Sequence, residues 1–419
     1  MRTLFAVLLG LSWVGWAQML PEGDTGIAAQ YPDDVGLAQD SRVVFFDDFE
    51  AISGNQLTPS NSQWDNVYGG VKVTRAAADV HAGSAAVEIS LPNAQAYGAW
   101  RDFGTNGFDT LFVRYYLKYH PSYPGVHHQG VTVFAGAPGV TTGSSTGVKP
   151  NGTNHFTVGL DNLNPNFSWS PPGNTAPPGW LEFYCYHLDQ GGDYGDVFLP
   201  SGDYFMGQPA LFGPTFVARP RINPPRGVWL SFEIMVKANT PGQRDGRIAF
   251  WVDGVLAADF PNLRFRTTAA LKPNFIVLAP YSSEVLPNQV LWYDDVVAAT
   301  SYIGPMKRGG AVDAGTGGGG GAATGGGGGS SATGGGSAAT GGGGGGGGGG
   351  SAATGGGGGS AATGGGGGGS AATGGGASAT GGGGDVAAGG CSSAPEVMAW
   401  LTLTLSLARR RRAPSPRAH

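Results

Sequence analysis

Between residues 42 and 303, apolar and polar residues alternate in short runs rich in β-branched and aromatic side chains. A two-residue period places successive side chains on opposite faces of an extended strand. Residues 41–49 carry Val43, Val44, Phe45 and Phe46. Residues 85–91 set Val87, Ile89 and Leu91 against Ala86, Glu88 and Ser90. Residues 111–119 read Phe112, Val113, Arg114, Tyr115, Tyr116, Leu117, Lys118 and Tyr119. The runs 156–160, 180–187, 228–237, 247–252, 275–278 and 289–298 continue the series, each bounded by turn residues. Asp253-Gly254 between two such runs predicts a tight hairpin. Helical periodicity of useful length is missing from this stretch. Many short, evenly spaced strands predict an all-β fold of two packed antiparallel sheets.

The ends follow other patterns. Arg2 precedes an apolar stretch from Leu4 to Trp16, and Gly15 and Ala17 are small at the positions before a cut. Residues 1–17 therefore read as a signal peptide cleaved after Ala17, followed by a lead-in over 18–41. Residues 306–390 are nearly all Gly, Ala, Ser and Thr, with Ser-Ala-Ala-Thr-Gly units starting at Ser351, Ser360 and Ser370. No apolar residue recurs there, so the stretch reads as a flexible tether with a reach on the order of 50 Å. In 391–412, Cys391 leads to an apolar run from Val397 to Leu407 and then to Arg409, Arg410, Arg411 and Arg412; residues 413–419 are a tail. The apolar run is shorter than the roughly 20 residues that span a bilayer, and the arginines would stay on the cytoplasmic side. This order of Cys, apolar segment and basic stop resembles the MYXO-CTERM class of C-terminal sorting signals. The resemblance implies an exported protein that touches the membrane through its C-terminal segment until processing and sorting machinery removes the tail. The product would be attached at the cell surface or outer membrane, with Cys391 as a candidate attachment point, or released.

Three stretches narrow the reading of the folded part. Trp229, Phe232, Glu233 and Ile234 stand in one run; Gly246, Ile248, Phe250, Trp251, Val252, Asp253 and Gly254 stand in a second; Tyr293, Asp294, Asp295, Val296 and Val297 stand in a third. Their order resembles the concanavalin A-like jelly roll over most of residues 42–305. Within that superfamily it looks most like the alginate- and glucuronan-lyase type, polysaccharide lyase families 14 and 20. The resemblance implies a curved sheet whose concave face takes up polysaccharide.

Composition removes some alternatives. The chain of 419 residues has 10 Trp, 14 Tyr and 20 Phe, only 13% charged residues and a formal net charge of −5. The one basic cluster is the terminal arginine run, so nucleic acid is not an expected partner. Of the 2 cysteines, Cys185 falls in a strand and reads as a buried thiol with no partner within the chain. The 7 histidines show no zinc-ligand spacing beyond the adjacent His127 and His128.

The candidate chemistry lies in two groups. Arg114, Tyr116 and Lys118 alternate onto one face of their strand, which is expected to be exposed or to line a polar groove. Trp100 and Arg101 precede them, and His127 and His128 follow. Glu182, Tyr184 and Tyr186 share one face of a later strand, with Phe183, Cys185 and His187 on the other. A uronate lyase neutralises the sugar carboxylate, removes the neighbouring proton with a base and protonates the leaving oxygen. By residue type, Arg114 or Arg101 would hold the carboxylate. His127 or His128 would be the base, and Tyr184 or Tyr186 the acid. Trp100, Arg101, Tyr116 and Lys118 would contact the sugar. No R-x-E-x-R and no clear Q-I-H motif is present, and this chemistry calls for no cofactor.

A non-catalytic carbohydrate-binding or adhesive module is the alternative; it needs only the groove and aromatics such as Trp100, Trp169, Trp180 and Tyr186. A glycoside hydrolase comes third, because Glu182 and Glu233 are isolated and no E-x-D-x-x-E series exists. Finally, Asp47, Asp48 and Glu50 open the domain and Asp294 and Asp295 close it. Pairing of the terminal strands would bring Asp48 and Asp295 together as candidate ligands of a structural Ca²⁺, or leave them as ordinary strand-end acids.

Overall fold

The computed structural model describes residues 19–309 apart from 94, 169 and 206–211. Ala17, Trp169, the greater part of the tether and Cys391 lie outside the described residues. The strands are β1 (Val43–Asp47), β2 (Asn66–Tyr68), β3 (Val71–Thr74), β4 (Ala86–Ser90), β5 (Gly98–Asp102), β6 (Thr110–Tyr119), β7 (Val131–Gly136) and β8 (His155–Leu163). They continue with β9 (Trp180–Tyr186), β10 (Asp196–Phe198), β11 (Tyr204–Phe205), β12 (Trp229–Lys237), β13 (Gly246–Val252), β14 (Val255–Leu263), β15 (Phe275–Leu278) and β16 (Val290–Ala299). Between β7 and β8 lies a single-turn helix, α1 (Thr142–Ser145). Among the described residues no helix is long and apolar enough to cross a membrane.

The strands form two antiparallel sheets, as the alternation predicts. The first runs β14-β13-β12-β6-β16-β4-β3, with β1 also paired to β16. The second runs β11-β10-β9-β8-β7-β15-β5-β2. The inward faces close on each other: Phe183 of β9 meets Phe250 of β13 edge-on at 5.2 Å. Val113, Tyr115 and Leu117 of β6 share one buried cluster with Val131 and Val133 of β7 and Phe156, Val158 and Leu160 of β8. Each such side chain removed from water contributes about 1.5–3 kcal/mol, so the alternation itself selects the register. Cys185 faces this interior and is a free thiol. The Asp253-Gly254 turn joins β13 to β14, with φ of 48° and 76° at its two central residues, the left-handed pair a type I′ hairpin needs.

The outer face of the first sheet is covered by the chain's own ends. Ile27, Leu37, Tyr302 and Ile303 pack on Phe112, Met235 and Trp251. Ile27 N–H donates to the Tyr302 carbonyl at 3.0 Å and Ala28 N–H to the Ile303 carbonyl at 2.9 Å. The lead-in over 18–41 is thus, where described, part of the folded body.

The alternation of Arg114, Tyr116 and Lys118 is as expected, but their face is neither open nor a groove. Arg114 is 0% exposed and its guanidinium is paired with Asp34 of the lead-in. The Tyr116 hydroxyl accepts the Met306 N–H at 2.8 Å, and the His81 ring stacks on Tyr116 with centroids 3.5 Å apart. Lys118 Nζ donates to Asp79 Oδ1 at 2.7 Å. Beside them the buried Glu233 carboxylate accepts the N–H groups of Ile303 and Gly304, both at 2.8 Å. Segments without periodicity supply the partners that make this polar face an interior.

Candidate functional site on the outer face of the second sheet

The outward positions of the second sheet are set by the same alternation. On β9 they are Trp180, Glu182, Tyr184 and Tyr186; on β8 they include Asp161, Gly159, Thr157 and His155. The register pairs Asp161 with Glu182, Gly159 with Tyr184 and Thr157 with Tyr186. The segment 127–130 runs beside this surface, held by reciprocal hydrogen bonds between His128 and Tyr281, N–H to carbonyl, at 2.9 and 2.8 Å.

Asp161 organises the cluster. Its Oδ1 accepts the backbone N–H groups of Gln129 at 2.8 Å and Gly130 at 3.0 Å. Its Oδ2 is 2.8 Å from His128 Nδ1. Burial alone would raise the Asp161 pKa, but His128 and the two backbone donors outweigh it and hold the pKa below the usual carboxylate value. An ionised partner at Nδ1 keeps the ring proton there and leaves Nε2 bare. The described residues give Nε2 no hydrogen-bond partner, and the His128 side chain is 27% exposed. His128 therefore has the geometry of an oriented, reachable base.

Tyr184 stands next to it, with ring centroids 5.0 Å apart. The Tyr184 hydroxyl accepts the Gly195 N–H at 3.2 Å and lies 3.5 Å from the Tyr186 hydroxyl. Burial and the neighbouring Tyr186 push the Tyr184 pKa up, so it stays a phenol able to donate a proton. Tyr186 is more deeply set, 5% exposed, and its hydroxyl accepts the Gly147 N–H at 3.2 Å. His127 packs edge-on against Phe167 and Tyr281. Burial and adjacent His128 lower its pKa to about 3, which makes it a weak base. Glu182 is buried, with Oε2 lacking a hydrogen-bond partner; burial and the charge of Asp161 raise its pKa well above the ordinary range. Asp161 and Glu182 are thus neighbouring carboxyls driven in opposite directions.

Four residues named from sequence, His127, His128, Tyr184 and Tyr186, are gathered here. Trp100 faces the same side, four strands away on β5. Arg101 alternates to the other side, where its guanidinium reaches Asp65 Oδ2 at 3.1 Å and the Gln63 carbonyl at 3.0 Å. Arg114, Tyr116 and Lys118 belong to the other sheet and do not reach the cluster. The expectation that Arg114 or Arg101 holds a sugar carboxylate at this site has no geometric basis. Asp161 is the residue that sequence reading missed. Extending the alternation Phe156, Val158, Leu160 by a few positions places it outward, opposite Glu182.

The acidic ends do meet. β1 pairs with β16, with Asp47 opposite Val296, and Asp48 feels burial first and then the charge of Asp295, which raise its pKa. Asp295 Oδ2 is engaged by His81 Nδ1 at 2.6 Å, and Asp294 Oδ2 accepts the His81 N–H at 2.9 Å. No group of three His, Cys, Asp or Glu side chains placed to hold a metal occurs among the described residues.

No family model matches the chain, and no curated protein matches it. Solved structures similar to it include an alginate lyase in complex with alginate tetrasaccharide, at 16% identity and a TM-score of 0.42, covering 62% of this chain and 97% of that one. Another is an alginate lyase from Chlorella virus, at 14% identity and a TM-score of 0.41, with coverages of 62% and 99%. A third is an endo-β-1,4-glucuronan lyase from the fungus Trichoderma reesei, at 15% identity and a TM-score of 0.37, with coverages of 62% and 96%.

Proposed function

We propose that this is an exported, surface-tethered protein that acts on polysaccharide, and that its site is the cluster around His128 on the second sheet. The signal-like ends support export, and the mass of the mature protein recovered from cells tests it. An uncut N-terminus, or an intact Arg409–Arg412 segment, would remove the tethering part. The sharpest enzymatic form is β-elimination on a polyuronate. The observation that carries it is His128 Nδ1 bonded to Asp161 at 2.8 Å with the Tyr184 phenol beside the ring. In that reaction Nε2 of His128 takes the proton next to the sugar carboxylate. The released electron pair forms the ring double bond, the bond to the leaving oxygen breaks, and Tyr184 gives that oxygen its proton.

One observation favours binding without turnover as the second reading. Among strands of the second sheet, Arg101 is the sole Lys or Arg, and it faces away. No Lys or Arg on the strands of that sheet therefore faces the cluster to neutralise a uronate carboxylate, which elimination needs. Purified protein mixed with alginate and with glucuronan separates the two readings. Accumulation of the unsaturated product supports elimination. Retention on the glycan without product supports a binding module. Neither cleavage nor retention, on these or on neutral glycans, discards both.

A further inference from the structure

A cleft of about 530 Å³ lies between the connection from β3 to β4 and the segment around residue 308. Arg75, His81 and Arg308 are its titratable lining residues, and no Asp or Glu lines it. The carboxylates nearest in the chain fold are already occupied. Glu50 Oε1 accepts the N–H groups of Ser84 at 2.6 Å and Ala85 at 2.8 Å, and Oε2 accepts the Ser84 hydroxyl. Asp294 Oδ2 accepts the N–H groups of His81 and Ala82. Between these four donors the Gly83 N–H, also at the cleft, has no partner among the described residues.

Both arginines are exposed, yet both heads are pinned. Arg75 donates from Nη1 to the Gly54 carbonyl at 2.8 Å and from Nη2 to the Ile52 carbonyl at 2.7 Å, which leaves its Nε–H unused. Arg308 Nη2 donates to the His81 carbonyl and to His81 Nε2, both at 3.1 Å. A guanidinium cannot accept a hydrogen bond. His81 therefore keeps its ring proton on Nδ1 and gives it to Asp295 Oδ2 at 2.6 Å. Asp295 and His81 so hold Arg308 in place, with its Nη1 and Nε free of partners among the described residues. Donors fixed before a ligand arrives lose less freedom when it binds.

We infer that this cleft is a phosphate-binding site, taking inorganic phosphate or the phosphate group of an ester. Planar guanidinium forks match phosphate oxygens two at a time, and the Gly83 N–H adds a backbone donor. The small apolar side chains of Ala77, Val80 and Ala82 complete the wall and leave room for the body of an ester. The site belongs to the first sheet, apart from the His128 cluster, and it does not depend on the polysaccharide reading.

The test is calorimetric titration of the full-length protein with inorganic phosphate and with glucose 1-phosphate, in about 0.15 M salt so that loose charge attraction is screened. At least one probe is expected to bind with a Kd on the order of 1 mM or below, and the tighter of the two identifies the source of the phosphate group. Arg308→Gln is expected to weaken binding by roughly tenfold or more. Ala77→Asp, which places a carboxylate in the cleft at an exposed position, is expected to do the same. Neither change removes a buried contact, so both variants should melt like wild type. Lys149→Gln, an exposed cation that does not line the cleft, should bind as wild type does. Failure of wild type to bind either probe overturns the site. So does binding that survives both Arg308→Gln and Ala77→Asp, or that falls equally in Lys149→Gln.

Discussion

Asp161→Asn isolates what the carboxylate does for His128. The two backbone donors, Gln129 N–H at 2.8 Å and Gly130 N–H at 3.0 Å, both use Oδ1. They fix which end of the new amide is oxygen. The NH₂ must then occupy the Oδ2 position, 2.8 Å from His128 Nδ1. A donor there suits only the tautomer with Nδ1 bare and the proton on Nε2, and a protonated Nε2 cannot accept a proton from substrate. The ring stays in place and its chemistry reverses. General-base catalysis is worth roughly 10²–10⁴-fold, so kcat on a cleaved polyuronate should fall by about that factor, ~3–5 kcal/mol of barrier. Because both backbone hydrogen bonds survive, the folding loss should stay within about 1–3 kcal/mol and KM should barely move. Steady-state kinetics with a parallel thermal melt read both quantities. A kcat within twofold of wild type would refute the assignment of His128 as a base oriented by Asp161.

Tyr184→Phe keeps the ring beside His128 but removes the proton donor; kcat should drop about 10²-fold with the melting temperature little changed, whereas Tyr186→Phe, tied to Gly147, should show a smaller kinetic effect. Arg114→Met breaks a fully buried pair and leaves Asp34 uncompensated, a loss of about 3–5 kcal/mol; below its melting point the variant should keep wild-type KM, and a raised KM would return Arg114 to the site. Glu233 supplies a pH test. Burial, against the Ile303 and Gly304 N–H groups and Arg114, raises its pKa from 4.5 to about 7. A raised folded-state value means its stabilising share is complete below about pH 4.5 and is lost as pH climbs through about 7, a decline of roughly 3 kcal/mol. Urea denaturation across that window should show the decline in wild type and a flatter profile in Glu233→Gln; identical slopes would rule out this residue as the source.

The fold is legible because polar and apolar residues keep a two-residue period in β4 and β6, although both faces of β6 are buried. The hairpin at Asp253-Gly254 was legible because left-handed backbone selects those residues. Other strands were not. β5 is five residues long, and Arg101 and Asp102 make its second half polar, so Trp100 carried no visible period. In β8 the visible alternation stops at residue 160, one position before Asp161, because Asp161 and Asn162 have loop composition. The face of Arg114, Tyr116 and Lys118 was correctly polar and wrongly open. Alternation reports which residues share a face, while what covers that face is decided by distant segments such as Asp34 and Ile303. The same limit applies to the site: His128 and Tyr184 were visible by type, but the carboxylate that orients the histidine came from strand register, which a single sequence does not encode locally.

The most direct measurement is ultraviolet absorbance of the unsaturated product, followed alongside glycan retention, for wild type and His128→Ala on alginate and glucuronan. The site described above predicts steady product release by wild type and a loss of roughly 10²-fold or more in the variant, with retention preserved. Product release by His128→Ala at the wild-type rate would contradict it.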